Sequence, residues 1–299
     1  MLLSLLKIYR ELYMVNFNQV TSMECSLKNI TISCEVYGKG QPMIILPGWG
    51  NSASLSASWW EPIFQQRPGF QRIYIDPPGH GQTPGEDWIT NQDKMLDIII
   101  ECIDKITEEK RFVLVGHSLG AYHARGVIYH RANLVDGLFM AVPIIKAQDS
   151  KRIVPSHTIL VDNPAEVAKL TPAEDKMSWM VVVRSRHTLD RIKAMAGQDD
   201  GGVENSKFLE KIIKTPEKYA FSFDVDSLSE PFLKPTLIIT GKQDSMAGYQ
   251  DVWNILDNYP RATYVLFDRA GHLLDDKDLM ISILVAEWLD RVQENKDSN

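Results

Sequence analysis

The chain has 299 residues, of which 44% are hydrophobic and 24% charged, with a formal net charge of −7. That balance suits one large α/β domain or a domain carrying an insertion, and an acidic chain without a Lys/Arg cluster argues against nucleic acid and anionic membrane surfaces as partners. Three cysteines, Cys25, Cys34 and Cys102, form neither a metal-spaced pair nor an even disulfide framework, which points to a reducing cytoplasm. A Cys25–Cys34 bridge would need an oxidising compartment.

Residues 1–17 read as an N-terminal extension. Met1 to Leu6 is apolar, but no basic region precedes it and Lys7 and Arg10 interrupt it, so it makes a poor signal peptide. No run approaches the ~18 apolar residues of a membrane span. From Asn29 to Tyr37, Ile30, Ile32, Cys34 and Val36 alternate with polar neighbours, as in a strand with one wet face. Met43 to Leu46 is a continuous apolar run ending at Pro47-Gly48-Trp49-Gly50, and residues 72–76 form another short strand closed by Pro77-Pro78-Gly79-His80-Gly81. Capping-box spacing at Thr90–Asp93 opens a helix over 91–109, with Met95, Ile99, Cys102, Ile103 and Ile106 on its apolar face. Strands follow at 112–116 and 138–142. Strands alternating with helices predict a mostly parallel sheet covered on both faces.

The pattern lapses over 143–231, where no buried strand is evident. Thr171-Pro172-Ala173-Glu174 combines an N-cap, a first-turn proline and the capping-box glutamate, which predicts a helix from there towards Gly197, and 204–214 gives another. The sheet resumes at 236–241, followed by a helix over 247–258, a strand over 262–267 and a closing helix over 278–292. The expected organisation is therefore a core of 18–142 and 232–299 with a helical cap of 143–231 inserted after the sixth strand.

Chemistry centres on Gly116-His117-Ser118-Leu119-Gly120, which joins a buried strand to a helix. A serine at such a turn projects its hydroxyl at the strand's carboxyl end, but the pentapeptide alone arises by chance in roughly one chain of this length in ten. A serine hydroxyl also needs a base, and the base an orienting carboxylate. Asp244 lies three residues past one strand and His272 five past the next, both at the sheet edge on which Ser118 projects. Asp149, after the last strand before the insertion, is the rival carboxylate, and Asp76 more simply ties down its own turn. His117 and His80 read as packing and turn residues. His123, His130, His157 and His187 have no metal-ligand spacing. Arg184, Arg186 and Arg191 read as a solvated face.

The chain resembles the α/β-hydrolase fold superfamily, in its capped, esterase-like form, over about 27–293. The Gly48-Trp49-Gly50 loop, the Asp76–Gly81 turn, the serine turn, Asp244 and Gly271-His272 carry the resemblance together. It implies an eight-stranded, mostly parallel sheet, with Ser118 as nucleophile, His272 as base, Asp244 as orienting acid, and the backbone N–H groups of Trp49 and Leu119 as oxyanion donors. Pro47 stands where histidine often precedes Gly48 in the family, so no side chain at that position can assist. The implied function is cofactor-free, metal-free cleavage of a small ester, thioester or lactone through an acyl-enzyme. Trp179, Met177 and Met180 are candidate pocket residues, though helical spacing suits core equally well. Carbon–carbon bond hydrolysis, a peroxidase-like reaction and a non-catalytic ligand receptor stay open on the same fold.

Overall fold

In a computed structural model of the chain, residues 20–198 and 201–297 are described. The N-terminal extension of 1–17 lies outside them. Eight strands form one sheet: β1 (Thr21–Ser26), β2 (Thr31–Tyr37), β3 (Gly40–Leu46), β4 (Gly69–Ile75), β5 (Phe112–His117), β6 (Val135–Ala141), β7 (Thr236–Gly241) and β8 (Ala262–Phe267). Their spatial order is β1-β2-β4-β3-β5-β6-β7-β8. Only the β1–β2 and β2–β4 pairs are antiparallel; every later pair is parallel.

The central strands are apolar on both sides because both sides are covered. In β3, Ile44 and Leu46 enter one layer of core while Met43 and Ile45 enter the other. The first layer holds α2 (Gln92–Thr107) and α3 (Leu119–Arg131), through residues such as Ile99 and Val127. The second holds α1 (Ala53–Phe64) and α9 (Asp278–Asp297), through Trp60, Phe64 and Trp288. Period-two alternation thus runs through strands that read as uniformly hydrophobic.

Between β6 and β7 the chain leaves the sheet and forms α4 (Pro164–Val167), α5 (Pro172–Met177), α6 (Arg186–Ala196), α7 (Gly202–Ile213) and α8 (Pro216–Tyr219). The Thr171 capping box forms as expected, with both reciprocal bonds. The single helix expected from Thr171 to Gly197 does not: α5 ends at Met177, a 3-10 turn covers Ser178–Met180, Val181 is extended and the chain bends at Val182. Three consecutive β-branched residues disfavour helix there, Val183 bridges Val161, and Ser185 caps a new helix by accepting from Thr188 N–H. The helix expected over 247–258 is a 3-10 stretch, Gln250–Asn258. The α2 cap is Asn91, which accepts from Lys94 N–H, not Thr90. Strand β1 and helix α1 had no clear signal in the sequence.

Both ends of this excursion meet one residue of α3. The Arg125 guanidinium, fully buried, donates to Ile144 O at 3.1 Å and Ile145 O at 3.2 Å where the chain departs, and to the Asp226 carboxylate where it returns. A second buried pair braces the other layer: Arg72 Nε donates to Glu61 Oε1 at 2.9 Å, and Tyr74 Oη donates to the same carboxylate at 2.8 Å. Removing one member of such a pair strands a buried charge. Arg72→Met is therefore expected to lower the unfolding free energy by about 3–5 kcal/mol, read from urea denaturation.

Candidate active site

The turn from β5 into α3 forces Ser118 into a left-handed conformation, φ 53° and ψ −112°. A non-glycine residue held there costs on the order of 1–3 kcal/mol, so the surroundings must fix it. They do: Ser118 N–H donates to Ala141 O at 2.9 Å, and Ser118 O accepts from Ile144 N–H at 3.3 Å. Gly120 permits the close approach that follows, since a β-carbon there would collide with Leu46 O at the end of β3. Gly116 plays the same part against Ala121.

The sheet edge delivers the other two side chains. Ser118 Oγ lies 2.9 Å from His272 Nε2, and His272 Nδ1 lies 2.8 Å from Asp244 Oδ2. The remaining oxygen of Asp244 accepts from Met246 and Ala247 N–H, each at 2.9 Å, so both oxygens of the fully buried carboxylate are engaged and its orientation is fixed. Its bond to Nδ1 holds the proton on that nitrogen and leaves Nε2 facing the hydroxyl as an acceptor. Among the described residues, neither Trp49 N–H nor Leu119 N–H donates to a protein acceptor. Both are thus available to a developing negative oxygen.

The neighbouring histidines have different surroundings. His117 lies between Trp59 and Trp60 in edge-to-face contacts, and burial, then the nearby His272, pushes its pKa down to about 3. It is therefore uncharged at neutral pH. Burial likewise lowers His80 to about 4; its Nδ1 sits 3.1 Å from Pro78 O and its ring meets Trp49 edge-on, as expected of a turn residue. Asp76 accepts from Ala53 and Gln82 N–H, which ties its turn to the start of α1. Asp149 pairs with Arg152 and is largely exposed, and the carboxylate bonded to His272 is Asp244.

Of the candidate pocket residues, Met177 and Met180 pack on a small cluster of Val181, Leu189, Ile192 and Leu273, next to His272. Trp179 is nearly half exposed and meets His157 edge-on. Arg191 corrects the expectation of a solvated face: it donates to Leu273 O at 2.7 Å, pairs with Asp278 and lies over the Trp59 ring. Gln198, which had no signal in the sequence, donates to Gly50 O at 3.1 Å and accepts from Ser52 N–H at 3.0 Å, clamping the Trp49 loop. Trp59 was missed because α1 was. Among the described residues, no group of three His, Cys, Asp or Glu side chains could hold a metal ion. Cys25, Cys34 and Cys102 are all free and buried. No described helix is long and apolar enough to cross a membrane.

An eight-stranded, mostly parallel sheet with a serine at the β5–α3 turn defines an α/β hydrolase, and residues 41–276 match the family model for the α/β hydrolase fold. The chain belongs to that family. Among curated proteins it is 25% identical over 266 residues, 85% of its length and 98% of the relative's, to a pimeloyl-[acyl-carrier protein] methyl ester esterase of Legionella pneumophila strain Corby. It is 20% identical over 238 residues, 79% of each chain, to a 2-hydroxy-6-oxo-6-(2'-aminophenyl)hexa-2,4-dienoic acid hydrolase of Metapseudomonas resinovorans. Among solved structures, an alpha/beta superfamily hydrolase from Oenococcus oeni PSU-1 superimposes with a TM-score of 0.76 at 26% identity, covering 88% of this chain and 96% of that one.

The Asp278 pairs make acid stability a check on this geometry. Burial raises the Asp278 carboxyl, but His187 at 2.6 Å and Arg191 together outweigh it and hold its pKa below the usual range. Because the folded value is the lower one, the stabilisation is complete above the unfolded carboxylate value and disappears as pH falls through the folded one. Asp278→Asn should cost about 1–3 kcal/mol at pH 7. The gap to the parent chain should close below about pH 4, as followed by thermal unfolding against pH.

Proposed function

We propose that the protein is a serine hydrolase that cleaves a small carboxylic ester through an acyl-enzyme, with a helical cap of residues 143–231 over the site. One observation carries this reading: the unbroken chain of hydrogen bonds from Ser118 Oγ through His272 to Asp244. In the first half-reaction, Ser118 Oγ attacks the ester carbonyl as its proton passes to His272 Nε2. The carbonyl oxygen becomes an oxyanion held by Trp49 and Leu119 N–H, and His272 then protonates the departing alcohol. Water repeats the sequence on the acyl-enzyme and releases the acid. Asp244 stays ionised throughout and balances the imidazolium.

The similarity to esterases named for a methyl ester favours a small alcohol portion and a longer acyl portion. The acyl group then runs from Ser118 towards the cap, where Met177 and Met180 pack beside Leu273. Thioesters and lactones place the same carbonyl carbon before the same serine, and an ester panel ranks them.

Two experiments test this reading. Against a panel of methyl and p-nitrophenyl esters, Ser118→Ala should lower kcat by about ten-thousandfold or more, and Asp244→Asn by a comparable factor through the wrong imidazole tautomer. A fluorophosphonate should label the parent chain at Ser118 and leave the alanine variant unmarked. Retained ester turnover in Ser118→Ala refutes the assignment, and stoichiometric labelling without turnover of any ester identifies a receptor instead.

A further inference from the structure

The loop that carries His272 is not held by its own backbone preferences. Leu274 and Asp276 both adopt left-handed conformations, φ 56° and 51°, within four residues of the histidine. Leucine in that region is uncommon and persists only where the surroundings over-determine it. The surroundings here come from the segment between β6 and β7. Arg191 donates to Leu273 O, and Ser185 Oγ donates to Asp276 at 2.8 Å. At the centre of these ties lies Asp275, fully buried.

The Asp275 carboxylate faces in two directions. One oxygen accepts from Gly271 N–H at 2.6 Å, on the residue immediately before His272. The other accepts from Val182 N–H at 3.0 Å and Val183 N–H at 3.2 Å, in the non-helical stretch before α6. All three donors are backbone amides, so the carboxylate fixes chain position on both sides of the contact. The two backbones are also in close register: a β-carbon on Gly271 would sit 3.1 Å from Val182 Cγ1 and 3.2 Å from Met180 O. No other side chain described here bonds at once to the histidine loop's backbone and to two consecutive amides of the insertion.

We propose that Asp275 is a positioning residue for the reaction, coupling the placement of His272 to the seating of the Val182–Val183 segment. This rests on His272 being the base, as argued above. An imidazole must meet Ser118 and Asp244 at once, and displacements of about 1 Å in such an arrangement cost rate without costing the fold. The insertion then does more than bound the pocket: it completes the support of the base. A substrate too short to reach the insertion still depends on it.

Asp275→Asn tests this with little change in shape. In either amide orientation, an N–H₂ group replaces an acceptor and confronts one set of backbone donors. On p-nitrophenyl acetate, kcat per fluorophosphonate-titratable site should fall tenfold or more while KM stays within about twofold, since a displaced base slows chemistry and not binding. An unchanged kcat per titratable site overturns the proposal, because a merely structural role would reduce only the number of sites. Val182→Pro provides a second variant: Val181 is already extended (φ −105°, ψ 143°), as a residue before proline must be, and the change deletes one amide donor on the insertion alone. It too should lower kcat on the acetate, and full activity there overturns the coupling. Hydrogen exchange of the full chain supplies a readout independent of turnover. In Asp275→Asn, segments 181–184 and 270–274 should both exchange at least tenfold faster; acceleration of only one, or of neither, overturns the proposal. If the parent chain neither turns over esters nor takes the label, the ester-hydrolase reading fails, and the exchange result still decides whether the two segments are coupled.

Discussion

The close approach of the α3 N-terminus to the end of β3 is the constraint on which the site depends. With hydrogen in place of a side chain at Gly120, the first turn of α3 settles against Leu46 O. That contact seats Leu119 and Gly120 against the strand end from which the Trp49 loop departs. The left-handed backbone at Ser118 is the strained outcome, and the bonds from Ala141 and Ile144 maintain it. A single steric allowance thus seats the nucleophile candidate and the start of α3 against the end of β3. The sheet supplies the rest, since β7 and β8 run parallel to β5 and deliver Asp244 and His272 to its carboxyl edge.

Of the two imidazoles nearest Ser118, one is held neutral by burial and the other is hydrogen-bonded on both ring nitrogens. His117 is adjacent in sequence, yet its ring is enclosed by Trp59 and Trp60 and stays uncharged. Both oxygens of Asp244 are engaged, one by His272 and the other by two backbone amides, which holds the carboxylate against His272. The loops that bear His272 and Trp49 are each tied to the segment after β6, the first by Asp275 and Arg191, the second by Gln198.

What could be read from the sequence follows from how local each cause is. Strands β3 to β7 stand out as apolar runs because both faces are buried, and Thr171 announces its helix because a capping box is complete within four residues. Ser118, Asp244 and His272 are recognisable because chain order and strand ends suffice to place them on one edge. Helix α1 was illegible because its first turns, Ala53 to Ala57, carry two serines and little periodicity, and Pro62 interrupts it. The break at Val181–Val183 and the role of Arg191 depend on partners about 80 to 90 residues away. Asp275 gives no sequence signal at all, since every group it binds is a backbone amide and any residue but proline could provide one.

The Arg125 junction has a consequence for how such proteins diversify. The excursion after β6 departs at Ile144–Ile145 and returns at Asp226, with both points fastened to one guanidinium on α3. Topologically it is a long surface loop with adjacent ends, and the entropy of closing such a loop grows only with the logarithm of its length. A segment attached in this way can be lengthened, shortened or exchanged for another between the same two points while the sheet beneath folds unchanged. Recombination at that seam can therefore exchange the segment in one step, provided the incoming one again presents amides to Asp275.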